Sequence, residues 1–64
     1  MLDDAIFAAH LSASDILRKE MWIASSVPCA RDIVVVLSRS GIETTRAEVV
    51  LACARLALPL ADVP

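Results

Sequence analysis

Turn-forming residues are scarce in this chain. It has one glycine, three prolines and no asparagine in 64 residues. Folds assembled from several hairpins need glycine or asparagine at most reversals, so few strands can be connected here and a mostly helical single domain is expected. Burial tightens the constraint. A chain this short hides only ~60% of the surface its unfolded form exposes. Yet 58% of its residues are hydrophobic, more apolar side chain than one small core encloses. Unbroken apolar runs such as 33–37 and 49–54 fall far short of the ~20 residues of a membrane span. No basic segment leading into an apolar run opens the chain, so no signal peptide is expected. Self-association is the simplest outlet for the excess.

Along the chain, 2–11 reads as a short helix. Asp3 and Asp4 suit its positive end, and Leu2, Ile6, Ala9 and Ala13 form a weak apolar stripe. Ser12 and Ser14 interrupt the pattern, and either could cap a following turn. The stretch KEMWIASSV, 19–27, alternates weakly as a strand. As a helix, it shares a face among Leu17, Met21 and Ala24. Pro28 pushes Val27 toward extended geometry. Pro28 itself suits the first position of a new helix, with Ala30, Ile33, Val34 and Leu37 as its inner stripe. The alternative for DIVVVL is a buried strand, because β-branched residues favour that state. Gly41, just after Arg39, fits a helix end.

The next helix is expected to start at Thr44 or Thr45. Thr45-x-x-Glu48 is a capping box, in which the threonine oxygen accepts a first-turn N–H and the glutamate reaches back. Val49, Val50, Cys53, Leu56 and Ala57 supply the inner face. Pro59 stops the helix, and the tail LADVP is expected to fray.

The net charge of −2 is unevenly placed. Residues 1–17 carry Asp3, Asp4 and Asp15 and no base. The remainder carries Arg18, Lys19, Arg31, Arg39, Arg46 and Arg55 against five acids. That mildly basic remainder permits phosphate contact without demanding it. Cys29 and Cys53 have no metal-binding spacing; they are expected as free thiols of a cytoplasmic protein, with a single disulfide as the alternative. No metal or cofactor is expected. His10 stands alone, Asp3 and Asp4 diverge as helix neighbours, and no nucleophile–base pair or glycine-rich loop exists, so the chain does not read as an enzyme.

From Lys19 onward the order is a short strand, a proline-started helix, a glycine turn, and Thr-Thr-Arg-Ala-Glu-Val-Val opening a last helix. This order resembles the ribbon-helix-helix superfamily of bacterial and phage DNA-binding repressors. The matching positions are Thr45, Arg46, Ala47, Glu48, Val49 and Val50, with a small residue, Cys53 or Ala54, further on. The resemblance covers roughly 45 of the 64 residues. It implies a mostly α fold with one strand. Two chains would pair their strands as an antiparallel ribbon over interlocked helices, making an obligate homodimer. Residues 19–64 would form that domain, and 1–18 an additional acidic helical segment or arm.

Under that resemblance the protein is a transcriptional regulator, with double-stranded DNA and itself as partners. The ribbon would enter the major groove with Trp22, Ala24 and Ser26 toward the bases. A shift of one residue would instead turn Lys19, Met21, Ile23 and Ser25 outward. Arg18, Lys19, Thr44, Thr45 and Arg46 would hold phosphates, the last three at a helix N-terminus. The dimer core would comprise Ile23, Val27, Ile33, Val34, Leu37, Val49, Val50, Cys53 and Leu56. Simpler roles compete with these: Thr45 and Glu48 only capping, Arg46 only solvated, and Trp22 in the core. Leu51, Leu58 and Leu60 suggest an apolar patch for a further protein partner. The rival expectation is an all-helical protein-interaction module, or an antitoxin-like adaptor, without DNA binding.

Overall fold

The computed structural model describes residues 2–21 and 27–63. Among the described residues three helices follow one another: α1, Leu2–Met21; α2, Ala30–Arg39; and α3, Arg46–Leu56. Each packs on the other two. At about 1.5 Å per residue, the 20 residues of α1 account for the molecule's longest dimension of 31 Å.

Helix α1 runs through both serines that were expected to interrupt it. The Ser14 hydroxyl donates to the His10 carbonyl at 2.8 Å, so it is satisfied inside the helix. Acidic Asp3 and Asp4 lie in the first turn and basic Arg18 and Lys19 in the last, each matching the helix dipole. Ile6, Ala9 and Ala13 are buried. The two alanines let the neighbouring helices approach closely.

Helix α2 begins at Ala30, two residues beyond Pro28, with Cys29 as its extended N-cap. The Asp32 carboxylate accepts the Cys29 N–H at 3.1 Å. A second carboxylate, from Asp62, accepts the Ala30 N–H at 3.1 Å. These two acids tie down N–H groups that the helix itself leaves without acceptors. The β-branched run is therefore helical, not a strand: Ala30, Ile33 and Leu37 point inward while Val35 stays 41% exposed. The helix closes in a Schellman arrangement, with Ile42 N–H on the Leu37 carbonyl and Gly41 N–H on that of Ser38. Gly41 supplies the positive φ of 82° that this closure requires.

Helix α3 starts as its capping box dictates. Thr45 Oγ1 accepts the Glu48 N–H at 3.2 Å, and Glu48 Oε1 accepts the Thr45 N–H at 3.1 Å. Val49, Ala52 and Cys53 face inward. Its end repeats the α2 closure, with Leu58 N–H on the Cys53 carbonyl at 2.9 Å. Here an alanine, Ala57, takes the left-handed position at φ 56°. The tail expected to fray is instead a strap. Leu60 is buried, and the Ala61 N–H donates to the Pro28 carbonyl at 2.9 Å.

The core joins Ile6, Ile33 and Val49, all fully enclosed, with Ala9, Ala13, Ala30, Leu37, Ala52, Cys53 and Leu60 around them. Burial of each of the three large side chains contributes about 1.5–3 kcal/mol.

This architecture overturns the ribbon-helix-helix expectation. Among the described residues there is no strand, and that fold needs a ribbon. Lys19 and Met21, placed at the start of the ribbon strand, belong to the last turn of α1. Nor is α1 an addition to a two-helix dimer: Ile6, Ala9 and Ala13 occupy the core on α2 and α3 within one chain. Residues 22–26, which include the rest of the expected strand, lie outside the described residues.

Candidate functional site

Of the residues expected to read bases, Trp22, Ala24 and Ser26 all lie outside the described residues, as does Ile23 of the expected dimer core. The phosphate set is described, and all but Thr44 are engaged within the chain. Arg18 donates to Asp15 at 2.7 Å, and Lys19 approaches the other oxygen of the same carboxylate at 3.7 Å. Arg46 donates to Asp62 at 3.2 Å. Thr45 is held by Glu48, and the Thr44 hydroxyl oxygen is buried without a hydrogen-bond partner. The hollow beside Thr44 and Thr45 is also lined by Glu43 and Glu48. Two carboxylates beside a helix N-terminus oppose the approach of an anion.

Asp62 is the hub of this end of the molecule. One carboxylate oxygen accepts from Ala30 N–H and the other from Arg46. The Ala30 hydrogen bond, and after it the Arg46 guanidinium, hold its carboxyl below the ordinary carboxylate range against an opposing desolvation effect. His10 anchors the other side of the strap. It is 7% exposed, and its Nε2 lies 2.7 Å from the Pro59 carbonyl. A carbonyl only accepts, so Nε2 carries the proton. The lone histidine is thus a structural clasp, and its position in the sequence gave no sign of this, because its partner is 49 residues away. Both cysteines are free thiols; Cys53 is buried, and burial raises its pKa.

The expected core residues divide. Ile33, Leu37, Val49 and Cys53 are buried; Val34, Val50 and Leu56 are partly buried; Val27 is 41% exposed. The expected apolar patch is reduced to one member. Leu51 is 64% exposed, whereas Leu60 is in the core and Leu58 is packed against it.

Other apolar side chains remain outside. Phe7 and Leu11, one turn apart on α1, are 48% and 58% exposed. A second feature lies where α1 and α2 run side by side. There Ile16 and Leu17 face Val35 and Val36 across a shallow groove of about 230 Å³. Arg31 and Arg39 stand at its edge, one turn to either side of Val35. The Arg31–Val35–Arg39 spacing is visible in the sequence, but it becomes a surface only once α2 is known to be a helix and α1 to lie beside it. Among the described residues no cluster of acidic, histidine and cysteine side chains is arranged to hold a metal ion, and no helix is long and apolar enough to cross a membrane.

Compared with protein-family models, curated proteins and solved structures, the chain matches none.

Proposed function

We propose that this chain is a small all-helical protein-interaction module. The observation that carries the proposal is the set of large apolar side chains left outside a core that is already filled. Phe7, Leu11 and Leu51 point away from the Ile6–Ile33–Val49 centre, so the fold does not need them there. Phe7 and Leu11 are neighbours on one face of α1, and adjoining exposed apolar side chains mark surfaces that meet another protein. The charges support the same reading. Arg18, Lys19 and Arg46, the cations expected on phosphates, are paired with Asp15 and Asp62, which weakens the field they offer a nucleic acid.

The test compares the wild-type chain with a Phe7→Ser, Leu11→Ser, Leu51→Ser variant. Both are tagged and cross-linked in the cells that make the protein. The variant should keep its helical circular dichroism and lose a specific cross-linked partner that the wild type captures. Loss of the fold in the variant, or retention of the same partner, would refute the reading. So would nanomolar, salt-dependent binding of the wild type to duplex DNA, measured by anisotropy.

A further inference from the structure

The groove between α1 and α2 has both a floor and a charge pattern. Ile16 and Leu17 from α1 and Val35 and Val36 from α2 line it, with Arg31 and Arg39 at the rim. Ile16 and Val35 are each about two-fifths exposed, at 40% and 41%. Among the described residues neither Arg31 nor Arg39 has a carboxylate within ion-pair distance, in contrast to Arg18, Lys19, Arg46 and Arg55. Asp32 is the acid on the same rim. Its Oδ2 is already occupied by the backbone N–H and thiol of Cys29. The rim therefore presents two cations eight residues apart on one side of a helix. At about 1.5 Å per residue this is a separation of about 12 Å along the axis, with aliphatic surface between.

We propose that this groove docks an acidic amphipathic helix of a partner protein, with aliphatic side chains over Ile16 and Val35 and carboxylates, two turns apart, on Arg31 and Arg39. The proposal rests on the interaction-module reading and names the partner's chemistry. The partner's aliphatic residues supply the burial. The two charge pairs set orientation and exclude basic segments. Carboxylates two turns apart on a partner helix, also about 12 Å along its axis, match the spacing of Arg31 and Arg39, so both pairs can form at once.

The probe is a 15-residue helical peptide with two leucines flanked by glutamates two turns apart, and a second peptide with lysines in place of the glutamates. Each is titrated into the ¹⁵N-labelled full chain. The glutamate peptide should shift the resonances of Ile16, Leu17 and Arg31 to Arg39, and bind about tenfold more tightly than the lysine peptide. An Arg31→Glu, Arg39→Glu variant should invert that order. Arg31→Gln, Arg39→Gln, which adds no repulsion to α2, should erase it. Equal affinity for the two peptides, or no inversion, would overturn the proposal. Shifts confined to Phe7, Leu11 and Leu51 would also overturn it while supporting the broader module reading. A concentration-dependent doubling of mass abolished by Val35→Asp would make a second copy the occupant, and would overturn it too.

Discussion

Removing one methylene from Ile33 should cost more stability than removing two carbons from Val35. Ile33 is fully enclosed between the helices, and Val35, two residues on, is 41% exposed. A buried Ile→Val change costs about 1 kcal/mol from lost transfer energy and an unfilled space. Val35→Ala removes surface that water already reaches in part. It also gains about 0.5 kcal/mol from alanine's better helix propensity, so its net effect should lie within about 0.5 kcal/mol of zero. Urea titration followed at 222 nm measures both. With a slope of about 1 kcal/mol per molar for so small a domain, Ile33→Val should move the midpoint down by about 1 M, and Val35→Ala should scarcely move it. In a strand, Ile33, Val35 and Leu37 would share one face. Val35→Ala would then be the more damaging change, and that result would refute a helical α2.

Three further outcomes follow from the closures and the strap. Ala57→Gly should raise stability by about 0.5–1 kcal/mol by thermal or urea unfolding, because Ala57 holds a left-handed conformation (φ 56°) that glycine adopts without strain. Asp62→Asn should lower the unfolding midpoint at neutral pH. In the wild type, the Asp62 carboxyl titrates lower when folded than when unfolded, so its stabilisation is present above about pH 4 and fades as the pH falls below that. The variant should show a flatter acid limb in a pH series. Removing residues 1–18 takes Ile6, Ala9 and Ala13 out of the core and His10 off the Pro59 carbonyl, and the remaining chain should lose cooperative unfolding in calorimetry.

The local signals in this sequence were legible, and the long-range ones were not. Thr45 and Glu48 form the capping box that their spacing specifies, and Gly41 ends α2 as a left-handed closure. Both features depend on residues only a few positions apart. The same signals misled at the level of architecture. A capped helix opening on Thr-Arg-Ala-Glu fits a phosphate-binding turn, but Arg46 is taken by Asp62, sixteen residues ahead, and nothing local to Arg46 foretells that. The serines of α1 read as an interruption because serine competes for backbone hydrogen bonds. Ser14 makes that bond within the helix, to His10. With α1 cut short, Lys19 to Val27 was free to be read as a strand needing a twin. The full-length α1 supplies from within the chain the cover for α2 and α3 that a second copy was expected to bring. The strap was missed for a similar reason: Ala61 and Asp62 are held by Pro28, Ala30 and Arg46, none of them near in sequence.

Backbone carbon chemical shifts of the full chain, read from residue 2 to residue 21, test the central claim most directly. The account predicts unbroken helical shifts from Leu2 to Met21, with cross-relaxation between the His10 ring and Pro59. Helical shifts that stop near Leu11, followed by extended values at Lys19 to Met21, would contradict it.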